Sequence, residues 1–319
     1  MKQTPRVLAP VLLGLTLAAC SRNLPTATSG SNPATPDRVA SSMRARSSSQ
    51  AKLFTAGGDI TPSVNAFRDA LGALNANTPG SRSEGRREIN WDAVPAAFTN
   101  TNDFPTDFFN QPVAGRARGA VFSTPGTGFR VSDVNFADLN PDFGTQFVFF
   151  SPVRTFAAVG SNRMTVTFFV PGSNVAATST GFGVVFSDVD RRGSASIRLF
   201  DTEGRSLGRF TAPTAPGGVS FVGVTFPEAV VARVEIVSGQ AAVSPDAIDV
   251  GNRRGDDDDL DSDDRDDDSK RGPATSRDSD DHDRDHREPR DLVIMDDFIY
   301  GEPIAAPARS AAPVVARPE

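Results

Sequence analysis

Two pairs of aspartates are the residues of this chain whose type and spacing best suit chemistry. Asp188 and Asp190 close the run FGVVFSDVD, and Asp296 and Asp297 interrupt the apolar run DLVIMDDFIYG at residues 291–301. Carboxylates brought together from two strand ends can supply several of the six to eight oxygens that calcium takes, which makes these four a candidate structural calcium site. Each can equally cap a turn or pair with an arginine, Arg191 and Arg192 being the nearest in sequence. Trp91, the only tryptophan, is either a stacking platform for a sugar ring or a core residue on an alternating strand.

Catalysis has little to draw on. The chain has two histidines, His282 and His286, and one cysteine, Cys20. Both histidines lie among aspartates in a low-complexity segment, so a Ser-His-Asp or Cys-His set lacks its ordered base. No GxxxxGK[ST] phosphate loop occurs. Glu88 and Asp92 fall on one strand face and Glu235 on a later strand, which leaves an acid pair for glycoside hydrolysis open. Solvated or ion-paired surface carboxylates are the simpler account. The chain therefore reads as not an enzyme.

Charge is concentrated in one place. Residues 253–290 hold 16 acidic and 9 basic residues, a net of 9 − 16 = −7, equal to the −7 of the whole chain. Everything else is near neutral, and without a basic surplus to neutralise phosphates a nucleic-acid role is disfavoured. Self-repulsion and a single large apolar residue, Leu260, predict a disordered insert. Ten of the thirteen residues from 256 to 268 are aspartate, but the glycine and terminal glutamate of an EF-hand loop are missing. The segment reads as a solvated loop between neighbouring strands, with cation binding as the alternative.

At the N-terminus, Lys2 and Arg6 precede an apolar run from Val7 through Leu17, too short to span a bilayer permanently. Leu17, Ala18, Ala19 and Cys20 resemble the lipobox of bacterial lipoproteins. That resemblance implies cleavage before Cys20 and acylation of the new N-terminal cysteine. Ser21 and Arg22, with no aspartate in second position, argue by the same resemblance against retention at an inner membrane. Two or three acyl chains, at about 0.8 kcal/mol per buried methylene, would anchor the protein firmly. Residues 23–52 are rich in Ser, Thr, Pro, Ala and Arg, a composition that predicts a disordered tether.

The elements that would position the aspartates follow from periodicity. Val64, Phe67, Leu71 and Leu74 recur at helical spacing after Asp59, Thr61 and Ser63, which predicts one short helix. From residue 88 onward, period-two runs alternate with Gly, Pro, Asn and Asp: 88–91, 120–123, 128–132, 146–151, 154–159, 164–170, 181–189, 196–200, 206–211, 219–226 and 231–237. The clearest hairpin spans 200–207, turned by Asp201 through Gly204. In the closing run, strict alternation puts Leu292, Ile294, Phe298 and Tyr300 on one face and Val293, Met295 and Ile299 on the other. With no long helix between strands, the economical reading is an all-β, antiparallel two-sheet sandwich with a Phe-rich core; Phe numbers 23.

Four phrases, AVFSTPGTGF (120–129), FSPVRTFAAVGSN (150–162), FGVVFSDVD (182–190) and VIMDDFIYGEP (293–303), resemble secreted bacterial jelly-roll domains of lectin-like or carbohydrate-binding style. The resemblance implies a jelly roll and leaves the ligand open. The expected organisation is a signal peptide at 1–19, a tether at 20–53, helix and loop at 54–85, a sandwich at 86–303 interrupted by the insert at 253–290, and a disordered tail at 304–319. The expected function is a lipid-anchored, extracytoplasmic, non-enzymatic module binding a glycan or another envelope component. A structural spacer without a ligand, or less simply a glycoside hydrolase, is the alternative. Replacing the anchor residue, Cys20→Ser, is expected to move the protein from washed membranes into the soluble fraction, and unchanged retention would contradict the anchor.

Overall fold

The computed structural model describes residues 50–251 and 289–307. The signal peptide, Cys20, nearly all of the tether, both histidines, the acidic run and residues 308–319 lie outside the described residues. Among the described residues fourteen strands form: β1 Lys52–Gly57, β2 Arg86–Ile89, β3 Ala120–Ser123, β4 Gly128–Ser132, β5 Thr155–Val159, β6 Arg163–Phe168 and β7 Ala177–Thr178 come first. They are followed by β8 Gly181–Val189, β9 Ser196–Phe200, β10 Ser206–Thr211, β11 Ala215–Thr225, β12 Arg233–Val237, β13 Ile294–Gly301 and β14 Ile304–Ala305. Two α-helices, α1 Thr61–Leu71 and α2 Phe143–Gln146, complete the regular structure with two short 3-10 turns.

The large sheet runs β1-β11-β8-β13-β5-β4, with β2 also on β13, and the small sheet runs β10-β9-β12-β6-β3. Within them, β5-β13-β8-β11 faces β6-β12-β9-β10, and every pairing is antiparallel. This is the double Greek-key order of a jelly roll, so the expected all-β jelly-roll sandwich is the observed fold. One core unites the two sheets, with Phe182, Val184, Phe186, Met295, Phe298 and Tyr300 from the large one against Val166, Phe168, Ile197, Leu199, Val234 and Ile236 from the small one.

Several boundaries differ from the sequence reading. The sheet begins at β1, inside the expected tether, because Lys52–Gly57 pairs along its whole length with β11. Residues 304–305, placed in the tail, pair with β7. The run at 146–151 is no strand. Gln146 ends α2, and Phe147 packs with Phe136 and Phe143 in a separate cluster that also holds Leu292 and Ile294. The 88–91 run is shifted to Arg86–Ile89, and Leu74 lies past the end of α1, exposed.

The helix explains why both faces of the closing run are apolar. Val64, Phe67 and Leu71 of α1 are buried against Phe54, Val185, Phe221 and Ile299 on the outer face of the large sheet. Phe67 can approach that closely because Gly183 and Gly223 lie beneath it. A Cβ on either would come within 2.8–3.0 Å of its ring. β8 and β13 are thereby covered on both faces, and each of their residues is buried.

One irregularity controls β13. Met295 pairs with Phe186 and Phe298 with Val184, so Asp296 and Asp297 together oppose the single residue Val185. This β-bulge resets the alternation. Val293 and Met295 therefore face the inter-sheet core along with Phe298 and Tyr300, while Ile299 faces α1 and Leu292 and Ile294 face the third cluster. Strict alternation assigned these faces wrongly, because it carried one parity across the inserted residue. Phe67→Ala is expected to destabilise the fold by about 3–5 kcal/mol, the usual cost of truncating a buried Phe, in equilibrium denaturant unfolding.

Candidate metal centre and the buried aspartate pair

The four expected ligands do not form one site. Asp188 and Asp190 are brought to Asp249, and one carboxylate oxygen from each of the three lies within 4.8 Å of the others. Asp296 and Asp297 lie elsewhere, on β13, and find their partners in Phe150, Ser151 and Arg68. The sequence reading joined them because all four stand in apolar strand runs. The bulge, however, sits between β5 and β2 along one edge of β13, whereas Asp188 is the penultimate residue of β8, beyond the Ser187–Ile294 pair.

The trio is assembled from two segments, the end of β8 with the residue after it and the stretch before the acidic insert. Asp188 lies at the left-handed φ of 66°, a conformation costing roughly 1–2 kcal/mol in a non-glycine residue, and its Oδ1 accepts the Gly217 amide at 2.7 Å. Asp249 is buried, its two oxygens accepting the Leu292 and Gly251 amides at 2.8 and 2.7 Å. Asp291 shapes the connecting turn by accepting the amides of Asp190 and Arg191. Both oxygens of Asp190 are buried with no hydrogen-bond partner. Gly251 closes over them, since a Cβ there would stand 2.8 Å from Asp190 Oδ2 and 3.0 Å from Asp249 Oδ2.

The electrostatics are unfavourable as they stand. Burial first, and then the charges of Asp188 and Asp249, push the Asp190 carboxyl up to about 8. Burial likewise raises Asp188 and Asp291 above the ordinary carboxylate range. Arg191, the expected arginine partner, gives its guanidinium to Gln240 instead. Among the described residues no Lys or Arg forms an ion pair with Asp188, Asp190 or Asp249. Oxygens that bind one calcium at about 2.4 Å stand at most about 4.8 Å apart. The trio therefore fits an oxygen-liganded divalent cation, whose charge would offset the repulsion. Asp249 and Asp291 were missed in the sequence. The available signal was their position, Asp249 a few residues before the acidic insert and Asp291 immediately after it.

The bulge pair is organised differently. Asp296 Oδ2 accepts the amides of Phe150 and Ser151 at 2.7 and 3.3 Å, and the Ser151 hydroxyl reaches Asp296 Oδ1 at 3.0 Å and Asp297 Oδ1 at 2.7 Å. Arg68 of α1 spans Glu88, with two bonds of 3.0 and 2.8 Å, and Asp297 at 3.4 Å. Burial, followed by the adjacent Asp297 charge, pushes Asp296 up to about 9. Burial also raises Asp297. The shifts favour the protonated form of Asp296 near neutrality. Glu88 behaves oppositely. Burial works against its charge, but hydrogen bonds from Arg68 and Arg86 outweigh it and hold the carboxyl below its ordinary value. A residue so held suits neither the acid nor the base of a glycosidase pair.

Trp91 is no sugar platform. It is 1% exposed, stacks on Phe156 at 3.9 Å and 9°, and donates its indole N–H to the Asp296 carbonyl at 2.7 Å. The core reading holds for this residue, because the bulge frees that carbonyl from the ladder and the indole satisfies it.

Fold and site together define a jelly-roll protein with a buried acidic cluster at one end of the sandwich. Against protein-family models, curated proteins and solved structures, the chain finds no match. Among the described residues no helix is long and apolar enough to cross a membrane.

The aspartate pair makes stability pH-dependent with a definite sign. A carboxyl raised to about 9 in the folded state contributes stability that is fully present below about pH 4 and lost as pH rises through 9. The thermal midpoint is therefore expected to fall between pH 7 and 10. Asp297→Asn, which removes the neighbouring charge, should flatten that fall, and an equally steep fall in the variant would contradict the assignment.

Proposed function

We propose that this chain is a lipid-anchored protein of the cell envelope, held through Cys20, whose jelly roll is a non-enzymatic module that binds a glycan or another envelope component. A single calcium ion, held by Asp188, Asp190 and Asp249, braces that module. The observation that carries the brace is the Asp190 carboxylate, buried without a donor against two further carboxylates and without a cationic partner. Oxygen-only donors select a hard cation over zinc or copper. The ion would tie the end of β8 to the segment before the acidic insert, and through the amide bonds of Asp249 and Asp291 to the approach of β13. A non-enzymatic role is supported by the arginine-locked Glu88 and by described residues that contain neither histidine nor cysteine.

Thermal unfolding of the purified chain tests the brace. Calcium at about one hundred times its Kd stabilises by about 2.7 kcal/mol, expected to raise the midpoint by roughly 5–10 °C in a domain of this size. Chelation should reverse the rise, and Asp190→Asn and Asp249→Asn should each abolish it while remaining folded. A midpoint indifferent to calcium would remove the ion from the proposal.

A further inference from the structure

We infer that the outer face of the small sheet binds an acidic polysaccharide. The inference rests on the binding-module reading and names the chemical class of its ligand. In β6, β9 and β12 the residues Met164, Val166, Ile197, Leu199, Val234 and Ile236 enter the core. Their alternates therefore face outward. There, Arg163, Arg198 and Arg209 line a cleft of about 550 Å³ with hydroxyls from Thr165, Ser196 and Ser206.

The register makes the arrangement specific. Thr165, Glu235, Arg198 and Arg209 stand side by side across four strands. Arg198 and Arg209 are thus direct cross-strand partners, and like charges so placed cost stability. Glu235 stands on the other side of Arg198, but Arg209 on the edge strand has Arg198 as its cross-strand partner, and a charge placed so points to use by a ligand. Each guanidinium is oriented by a serine on the other's strand. Arg198 Nε donates to Ser206 Oγ and Arg209 Nε to Ser196 Oγ, both at 3.2 Å. Both arginines are exposed, and these bonds engage their Nε atoms alone. Glu235, the acid of the cleft, is taken by Arg233. The Phe200 ring lies beneath Arg198 and Arg233, at 5.0 and 3.9 Å from its centroid, and steadies both.

Among the described residues, Arg163, Arg198 and Arg209 have no carboxylate partner. Paired guanidinium forks recognise carboxylate, phosphate or sulfate groups bidentately. Arg163 lies two strands and one row away from Arg198, on the order of 12 Å along the backbone grid. The face therefore suits several anionic groups on one extended molecule better than a single small anion. The exposed Ser206 and half-buried Thr165 hydroxyls beside the arginines match a saccharide. The large exposed apolar side chains, such as Leu53, Val113, Val153 and Ile248, all belong to other parts of the chain, so the face lacks the apolar surface that lipid insertion requires.

Titration of the full chain with polygalacturonate tests the site, with dextran as the neutral polymer and phosphatidylglycerol vesicles as the lipid source of anions. Polygalacturonate is expected to bind in a salt-dependent manner and dextran to bind negligibly. The Arg198→Gln/Arg209→Gln variant should bind at least about tenfold more weakly, the consequence of losing charge-assisted hydrogen bonds. Arg82→Gln, an exposed arginine outside the cleft, should bind as the wild type does. The double variant, relieved of a like-charge pair, should melt no lower than the wild type, which separates lost binding from lost folding. Equal weakening by Arg82→Gln, undiminished binding by the double variant, or a preference for the vesicles would overturn the site. Binding of dextran alone would overturn the acidic class and leave the module reading standing. Silence towards both polymers and the vesicles would count against both.

Discussion

The structure depends on one extra residue in β13. By setting Asp296 and Asp297 against Val185 alone, the bulge switches the parity of the strand, so that Met295 and Phe298 both enter the inter-sheet core. The same step turns the Asp296 carbonyl out of the ladder, where the indole of Trp91 satisfies it. Trp91 then sits at the centre of a phenyl cluster, with Phe104, Phe109, Phe156 and Phe298 around it. The carboxylates displaced by the bulge lie where β5 gives way to β2, and Ser151 and Arg68 close the gap. Packing, polar satisfaction and the docking of α1 therefore converge on a single backbone irregularity.

Buried acidity is handled in two physically distinct ways on this frame. At the bulge, hydroxyl, amide and guanidinium donors surround the carboxylates, and burial beside the Asp297 charge favours the protonated form of Asp296. At the end of β8, amides satisfy Asp188, Asp249 and Asp291, but Asp190 has nothing. An uncompensated buried carboxylate costs several kcal/mol unless it is neutralised or meets a cation. A third solution appears beside β13, where Arg87 and Glu302, both buried, pair through bonds of 2.6 and 2.7 Å, and Arg87 also donates to the Ala76 and Ala117 carbonyls. Among the described residues the contrast isolates Asp190 as the one buried carboxylate with no hydrogen-bond partner.

Much of the fold was legible in the sequence. The strands at 120–123, 128–132, 181–189, 196–200 and 206–211 have the bounds that their alternation and turn residues indicate. So does the amphipathic helix, save for Leu74. Those signals are local, since side-chain period and turn chemistry act within a few residues. β1 escaped notice because an edge strand of Lys, Leu, Phe and Thr beside a polar segment carries too short a pattern to stand out. The face assignment of β13 failed because a bulge is defined by its partner strand.

What the sequence by itself determined is the class of fold, the positions of most strands, the Phe-rich core and the concentration of acidity in one insert, all set by local pattern and composition. Only the tertiary structure decided which charged residues act together. Asp249 joins Asp188 and Asp190, Trp91 closes over the bulge, and Arg198 faces Arg209 across a hairpin. Such groupings follow from which strand ends and sheet faces the Greek-key connections bring side by side. That information resides in pairing between distant segments, and no spacing along the chain encodes it.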